Sequence, residues 1–353
     1  MIFKRKIKPT HIILCELANI GDCILTLPIC GLIKEHYPEC KITFLTRKYT
    51  ASVITGSTYI DNILTYETLN EQSEQHAAEM LKNLNADCFM QFGCTNYKEH
   101  DEQAAKLSYL ANIPYRFGQW DKKTSYPKKY FNYTQYHRRR GRDKMHNIDV
   151  RLMLLPFLGI KKNYSLKELT PYIKLIFPKP SEQYLALLDK TKFNLIIHPG
   201  SNGHAREWPE ENFIELIKIL PTDKFKIFIS GAGSEEEIFK KLLNSDLPIT
   251  NIMNKMNLAE FCGFVSQADG LIASSTGPLH IAAAVGIHAL GLFAPRRHID
   301  FRCWQPLGEY AEYLSKPGIC VKCDYGQECP CMRYITAEKV KARLMDWLRT
   351  IVA

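Results

Sequence analysis

Four polar turns in the sequence combine glycine with hydroxyl, amide or charged side chains, a combination suited to binding a phosphate. They read ANIGDC at 18–23, HPGSNGHAREWP at 198–209, SGAGSEEE at 230–237 and SSTGPLH at 274–280. Each follows an apolar run typical of a buried strand and leads toward a predicted helix. Glycine lets the backbone approach a ligand closely, and the free N–H groups of a helix N-terminus favour an anion. The turns therefore predict a phosphate-bearing ligand.

The last of these turns shows the chemistry most plainly. Ser275 or Thr276 is placed to cap a helix that has Pro278 near its start. Gly277 removes the Cβ that would keep a ligand away from the backbone. His280, one turn into the helix, is placed to reach the same anion. The alternative interpretation is a well-capped helix that contains a buried histidine.

Two of the other turns contribute candidate polar and charged groups. Ser201 and Asn202 supply hydrogen bonds, and Arg206 supplies a fixed positive charge suited to phosphate oxygens. The alternative there is a surface loop with an incidental arginine. Asp22 directly follows Gly21 at the start of a helix, where it is either a general base or an aspartate stabilised by the helix dipole. Spacing alone favours the dipole-stabilised aspartate.

An alternation of strand-like and helix-like segments must position these turns, and it occurs twice along the chain. In open parallel sheets, ligands bind at the carboxyl ends of the strands, where the turns lie. A proline-rich stretch without helical period separates the two halves near Lys179. We therefore predict an α/β fold with two doubly wound domains, over 1–179 and 180–335. A C-terminal helix over 336–353 is expected to pack back on the first domain.

The composition restricts the class of protein and of partner. The chain has 353 residues, 46% of them hydrophobic, which is enough for two buried cores. Its net charge of +9 indicates anionic partners such as nucleotide phosphates, nucleic acid or an anionic membrane surface. The basic N-terminus lacks the long apolar region of a signal peptide, and no run is long enough to span a bilayer. The 12 cysteines are accordingly expected to be reduced thiols in a cytosol.

Taken together, the motifs resemble glycosyltransferase family 9, the bacterial lipopolysaccharide heptosyltransferases. The similar segments are NIGDCILTLPICGLIKEHYPECKITFLT, the HPGSNGHAREWP loop and NKMNLAEFCGFVSQADGLIASSTGPLHIAAAVG. The resemblance implies a GT-B fold, in which two Rossmann-like domains face a cleft. It also implies that the first domain mainly holds the acceptor and the second mainly holds the sugar nucleotide. The transfer would be inverting and would use neither a metal nor a cofactor.

The resemblance also implies roles for individual residues. Asp22 matches the catalytic base, which takes a proton from the acceptor hydroxyl as that oxygen attacks the anomeric carbon. Arg206 and the turn at Thr276 would stabilise the charge that develops on the leaving diphosphate. The residues implied to contact the donor are Ser201, Asn202, Arg206, one of Glu235 and Glu236, Met256, Ser275, Thr276, Gly277 and His280.

The family default for the donor is ADP-heptose, and the acceptor would be an anionic, lipid-linked saccharide of the lipopolysaccharide core. The enzyme would then be cytoplasmic and peripheral at the inner face of the cytoplasmic membrane, without a nucleic-acid partner. The basic segment HRRRGRDK fits anionic sugars or headgroups, although a solvated basic loop is an equal alternative. The acceptor candidates are Asn19, Gly21, Arg47, Arg116, Arg138, Arg139 and Arg140.

Three positions depart from the family pattern. Ser275 stands where the family commonly has an aspartate, and Asn202 and Arg206 stand where some members have threonine and lysine. The alternatives are therefore a member that uses another nucleotide sugar and a homologue that binds the sugar nucleotide without transferring it. A nucleic-acid-binding protein is a further alternative, but no stacking platform or recognition helix supports it.

Four cysteines near the C-terminus form a separate cluster, at Cys320, Cys323, Cys329 and Cys331. Four thiolates so close together could bind zinc tetrahedrally. Zinc fingers and ribbons, however, separate their cysteine pairs by a longer segment. The spacing therefore favours free thiols or a local disulfide over a metal, and the transfer chemistry requires no metal.

Overall fold

The computed structural model describes most of the chain, and it divides into two compact units between Leu175 and Ile176. The division lies four residues before the predicted boundary at Lys179. The described residues are 7–92, 98–120, 128–136, 145–203, 205–233, 235–297, 299–324 and 330–351. Each unit contains one six-stranded sheet with the order of a doubly wound fold, so the predicted α/β class is confirmed.

The sheet of the first unit is entirely parallel and runs in the order β3-β2-β1-β4-β5-β6. Strand β1 (His11–Cys15), in the middle of this sheet, is buried along its whole length, as its nearly continuous apolar sequence predicts. The strands are β1 His11–Cys15, β2 Lys41–Thr46, β3 Asn62–Thr65, β4 Cys88–Gln91, β5 Tyr115–Trp120 and β6 Tyr133–Tyr136.

The longest helix of this unit, α1, follows β1 directly and is buried over most of its 17 residues. The helices are α1 Ile20–His36, α2 Lys48–Ile54, α3 Tyr66–Asn70, α4 Glu74–Asn83, α5 Lys98–Leu110, α6 Asn147–Leu152 and α7 Leu166–Leu169. Short 3₁₀ helices occur at Lys128–Tyr130, Leu155–Leu158 and Thr170–Ile173. Pro156 therefore lies in a 3₁₀ turn beyond α6, where it does not interrupt an α-helix.

The second unit repeats the plan, with the parallel order β12-β11-β10-β7-β8-β9. Its strands are β7 Phe193–His198, β8 Phe225–Ile229, β9 Ile249–Asn251, β10 Gly270–Ser274, β11 His288–Phe293 and β12 Ala311–Ser315. Its helices are α8 Glu182–Leu185, α9 Glu210–Ile219, α10 Glu235–Ile238, α11 Lys240–Leu243, α12 Leu258–Val265, α13 Gly277–Val285, α14 Phe301–Trp304, α15 Val321–Asp324 and α16 Ala337–Ile351. A 3₁₀ helix spans Met332–Tyr334.

The C-terminal helix α16 belongs to this second unit, where its apolar side completes the core. Val340, Leu344 and Trp347 are buried there, and the Trp347 ring stacks against His288 at 4.8 Å between centroids. The Trp347 indole also donates a 2.8 Å hydrogen bond to Glu312. The sequence predicted packing on the first domain, whereas the apolar stripe of the helix is used by the second unit's own core.

The strand order fixes where each unit can bind a ligand. In the first sheet the order reverses between β1 and β4, and in the second between β7 and β10. At such a reversal the loops after the two strands lead away in opposite directions and leave a crevice at the carboxyl edge. The turn with Asp22 follows β1, whereas the turns with Ser201 and Ser275 follow β7 and β10.

Among the described residues no helix combines the length and apolar character needed to cross a bilayer.

Candidate functional site

Asp22 lies in the first turn of α1, at the reversal of strand order in the first sheet. Its side chain is 20% exposed, so the carboxylate reaches solvent from a mostly buried turn. The preceding Asn19 occupies the N-cap position, but its side chain makes no capping bond. Asn19 instead accepts a 3.0 Å hydrogen bond from Arg47, which also donates to the Ala18 carbonyl at 3.0 Å. The turn that contains Asp22 is thus held by Arg47, a residue outside α1.

A buried arginine fixes the orientation of Asp22. Arg151 on α6 donates from Nη2 to Asp22 Oδ1 at 3.0 Å and to Glu16 Oε2 at 2.7 Å. Its Nε donates to the Thr26 hydroxyl at 2.8 Å, and that hydroxyl donates to the Asp22 carbonyl at 2.9 Å. The guanidinium therefore connects the end of β1 with the first turns of α1, and it holds Asp22 through Oδ1.

Glu16 is the most unusual group of this network because it is only 1% exposed at the end of an apolar strand. Burial raises its pKa to about 7, although Arg151 works in the opposite direction, and the nearby Asp22 adds to the increase. Neither Glu16 nor Arg151, which lies in the segment VRLMLL, was among the residues predicted from the sequence. A charged residue inside each of two apolar segments was the available signal.

The other predicted acceptor residues are distributed differently. Gly21 and Asn19 belong to the Asp22 turn, and Arg47 holds it. Arg116 lies near the amino end of β5, the sheet edge opposite to Asp22, and donates to the backbone carbonyls of Tyr130 and Ile113. In this sheet Arg116 and Asp22 therefore lie at opposite ends of the parallel strands, and a role of Arg116 toward the acceptor stays a prediction. Three further candidates lie outside the described residues, namely Arg138, Arg139 and Arg140.

In the second unit, the loop after β7 is held by its own side chains. Ser201 is 5% exposed, and both its N–H and its hydroxyl donate to Glu207 Oε1 at 2.8 Å. Ser201 therefore shapes the loop, and Glu207, which sequence analysis did not select, is its partner. Asn202 is exposed in the left-handed conformation with φ 48°, at the tip of the same loop.

Glu235 connects this loop with the loop after β8. Its Oε1 accepts the Asn202 N–H at 3.1 Å, and its Oε2 accepts the Ala232 N–H at 2.9 Å. The carboxylate lies so close to Gly200 that a Cβ there would fall 2.0 Å from Oε1, which explains the glycine. Glu235 is 5% exposed, whereas Glu236 is exposed. Of the two predicted alternatives, Glu235 is therefore the one built into the loop cluster.

We expect Glu235→Ala to destabilise the protein by about 1–3 kcal/mol, because the N–H groups of Asn202 and Ala232 would lose a charged acceptor that is itself buried. The matched control is Glu236→Ala, which removes a neighbouring exposed carboxylate and should change stability by no more than about 0.5 kcal/mol. Urea unfolding of both variants provides the comparison. Equal effects of the two substitutions would contradict the role given to Glu235.

His198 lies beneath the same loops, at the end of β7. Its Nδ1 is 3.0 Å from the Ser230 hydroxyl, and the side chain is 9% exposed. Burial lowers the pKa of His198 to about 4, and the nearby Glu235 carboxylate partly opposes that decrease. The imidazole is therefore neutral at physiological pH and serves as a hydrogen-bonding group under the loops.

Because His198 is buried in its neutral form, we expect the protein to lose stability in acid. The folded-state pKa of His198 lies below its ordinary value of 6.5, so the unfolded chain binds the proton first. Stability should then fall as the pH drops from about 6.5 to about 4, by about 3 kcal/mol from this group. Urea unfolding across this range should show the decline in the wild type and a flatter profile in His198→Gln. Parallel profiles for the two proteins would refute the assignment.

Arg206 offers a cationic group on the loop after β7. The residue is half-buried, and its Nε is a buried donor that has no hydrogen-bond partner among the described residues. A buried donor without an acceptor is costly, and an anionic ligand would relieve that cost. Arg206 thus fits the predicted contact with a phosphate.

The turn after β10 differs from the prediction in its capping. Thr276 occupies the N-cap position of α13, but its side chain makes no capping bond. The Thr276 hydroxyl instead donates backward to the Ser274 carbonyl at 3.3 Å. Ser275, Thr276 and Gly277 are half-buried, so the N-terminus of α13 begins at a partly accessible turn. A helix start without a side-chain cap is a suitable anion site.

Two further donor candidates are His280, which is buried, and Met256, which follows the edge strand β9. His280 is 2% exposed and its ring lies 6.3 Å from that of Trp304, which matches the alternative of a buried histidine. Met256 is half-buried between β9 and α12. Its segment is tied to the loop after β8, because the Asn254 side chain accepts the Gly233 N–H at 2.9 Å. The second unit thus gathers most of the predicted donor residues at one edge.

Comparison with known proteins identifies the family of the chain. The family model described as "Glycosyltransferase family 9 (heptosyltransferase)" matches residues 101–330. A "Putative glycosyltransferase" of Haemophilus influenzae is 24% identical over 84% of this chain and 86% of its own length. The "Lipopolysaccharide core heptosyltransferase OpsX" of the same species is 24% identical over 81% of this chain and 79% of its own.

Among solved structures, the chain is similar to the "E. coli ADP-heptose lps heptosyltransferase II". The TM-score is 0.73 at 15% sequence identity, with 97% of this chain and 100% of that chain covered. At that identity the likeness concerns the fold, and it agrees with the predicted pair of Rossmann-like domains.

Proposed function

Because the chain belongs to glycosyltransferase family 9 and is a glycosyltransferase, we propose that it transfers a heptose from ADP-heptose to an acceptor of the lipopolysaccharide core. The observation that carries the proposal is the Asp22 carboxylate, held by Arg151 in the first turn of α1 at the carboxyl edge of the sheet. A general base requires an ordered carboxylate that still reaches solvent, and Asp22 meets both conditions.

The donor is proposed to bind at the carboxyl edge of the second sheet. A diphosphate would take hydrogen bonds from the start of α13 and charge neutralisation from Arg206. The adenosine would extend toward the loops after β8 and β9, where Glu235 and Met256 lie. The name of the Escherichia coli structure supports ADP-heptose over other nucleotide sugars.

The proposed reaction is a single displacement. The Asp22 carboxylate accepts the proton of the acceptor hydroxyl while that oxygen forms a bond to the anomeric carbon of the heptose. The bond from the anomeric carbon to the diphosphate oxygen breaks, and the electron pair leaves with ADP. Attack opposite to the leaving group inverts the anomeric centre, and no metal is required because Arg206 and backbone N–H groups stabilise the diphosphate.

The acceptor is proposed to be an anionic glycolipid at the inner face of the cytoplasmic membrane. The net charge of +9 supports a peripheral contact with anionic headgroups or phosphorylated sugars. A nucleic-acid partner has no support beyond the same charge. The name of the OpsX relative supports the lipopolysaccharide core as the acceptor class.

A thermal-shift screen with ADP-heptose, other ADP-sugars, UDP-sugars and GDP-sugars tests the donor. A ligand that binds only the folded protein raises its midpoint, so ADP-heptose should produce the largest increase. A larger increase with a UDP- or GDP-sugar would replace the proposed donor. If none of the nucleotide sugars raises the midpoint, the proposed function is refuted.

The alternative that the chain binds the donor without transferring it has one specific observation in its favour, the serine at position 275. Release of ADP in the presence of a lipopolysaccharide-core acceptor distinguishes the two. We expect acceptor-dependent release of ADP, and donor binding without any release would favour the alternative.

A further inference from the structure

Three cysteines of the second unit meet near the C-terminus. Cys320 precedes α15, Cys323 lies within α15, and Cys331 lies directly before the 3₁₀ helix Met332–Tyr334. Their Sγ atoms all lie within 4.8 Å of one another. The segment that carries them connects β12 with α16. The fourth cysteine of the sequence cluster, Cys329, lies outside the described residues.

We propose that Cys320, Cys323 and Cys331 bind one thiophilic divalent cation, with Zn²⁺ as the leading candidate. Thiolates select soft or borderline metals over Mg²⁺ and Ca²⁺. Zinc–sulfur bonds of about 2.3 Å in a tetrahedral site place the sulfurs about 3.8 Å apart. Sulfurs within 4.8 Å of one another therefore need to move by only about 1 Å to close on the ion.

The proximity of all three sulfurs distinguishes a metal site from a disulfide. A disulfide joins two sulfurs at about 2.05 Å and has no use for a third one at the same place. A metal uses each of the three equally. The spacing of the cysteines in the sequence favours free thiols or a disulfide, because zinc fingers and ribbons are built from two cysteine pairs that a longer segment separates. Folding gathers the three sulfurs without that arrangement.

The burial of the cluster suits a structural ion with one accessible side. Cys323 and Cys331 are 1% and 2% exposed and belong to the core of the unit. Cys320 is half-buried, and together with Cys331 it lines a cavity of about 350 Å³. That cavity gives the ion a path to the site and leaves room for water as a fourth ligand. Lys316 and Lys322 also line the cavity.

The position of the site assigns it a role in stability. Cys320 is anchored to the loop after β11 by its N–H, which donates to the Pro295 carbonyl at 2.8 Å. Cys331 precedes Met332 and Ile335, which pack in the core beside α16. An ion bound by all three cysteines would fasten the connection between β12 and α16 to the core. Its binding free energy would then add to the folding free energy of this unit.

Metal analysis of the full-length protein, purified under reducing conditions, tests the proposal. We expect about one Zn²⁺ per chain in the wild type by inductively coupled plasma mass spectrometry. Cys323→Ser and Cys331→Ser should each lose the ion. The matched control is Cys262→Ser, which replaces a buried cysteine on α12 outside the cluster and should retain the ion.

A second measurement keeps the proposal testable if the serine variants do not fold. Wild-type protein stripped with a chelator is titrated with Co²⁺, which should produce sulfur-to-cobalt charge-transfer absorption that saturates at about one equivalent. The stripped protein should also unfold at a lower temperature than the zinc form. Absence of both zinc and the cobalt absorption overturns the proposal, as does zinc retained by Cys323→Ser and Cys331→Ser. A metal-free protein whose intact mass is lower by two hydrogens would instead establish a disulfide.

Discussion

Replacing Asp22 with asparagine should lower kcat about 10²–10⁴-fold, which is the contribution typical of a general base. Asparagine keeps the shape of the side chain and a hydrogen-bond acceptor for Arg151, but it cannot take a proton from the acceptor hydroxyl. Affinity for the sugar-nucleotide donor should remain unchanged, because the residues proposed to bind it belong to the second unit. Steady-state rates of ADP release and the donor-induced thermal shift measure the two quantities separately.

The control for this experiment is Asp223→Asn, which removes an exposed carboxylate just before β8, at the amino end of the strands of its own sheet. Its turnover should equal that of the wild type. If Asp22→Asn retains wild-type turnover, the assignment of Asp22 as the base is wrong. If it loses donor binding together with turnover, Asp22 supports the fold or the donor site and is not acting as a base.

Replacing Arg151 with methionine should destabilise the protein by about 3–5 kcal/mol at a pH above 7. The Glu16 carboxylate is 1% exposed and would lose its ion pair with the guanidinium. In the wild type the Glu16 carboxyl ionises as the pH rises through about 7, and loss of Arg151 raises this pKa further, so the cost of the substitution should shrink at lower pH, where Glu16 is neutral in both proteins. Urea unfolding at two pH values measures both the cost and its direction.

Arg343→Met provides the comparison, because Arg343 is half-exposed and lies 3.8 Å from Glu312. Loss of such an exposed pair should cost no more than about 1 kcal/mol. The double variant Glu16→Gln, Arg151→Met should recover part of the stability, since neither charge then remains buried alone. A cost for Arg151→Met no larger than that for Arg343→Met would show that the buried network contributes little.

The sequence alone was sufficient for the features that depend on local pattern. Apolar runs predicted the central strands β1, β2, β4, β7, β8, β10 and β11, because strands buried on both faces have few polar residues. The polar glycine turns that follow them predicted which residues would stand at the carboxyl edges. Asp22 in the first turn of α1 and the Ser274–Gly277 turn before α13 could therefore be found from spacing and resemblance.

The edge strands were less visible in the sequence. β3, β6, β9 and β12 are short and partly exposed, so their residues show neither a continuous apolar run nor a clear alternation. The capping of α13 was also mispredicted, because the Thr276 hydroxyl donates to the Ser274 carbonyl and does not accept a hydrogen bond from an N–H of the first helical turn.

Only the tertiary structure decided which distant residues act together. Arg151 reaches Glu16 across 135 positions and Asp22 across 129, and Glu235 reaches Asn202 across 33. Hydrophobic periodicity in the sequence does not reveal such pairs, because they depend on the order in which strands and helices pack. The same packing placed Arg116 at the end of its sheet opposite to Asp22 and brought three cysteine sulfurs together. Local sequence thus fixes the type of each element and the turn that ends it, whereas long-range packing determines which side chains share an environment.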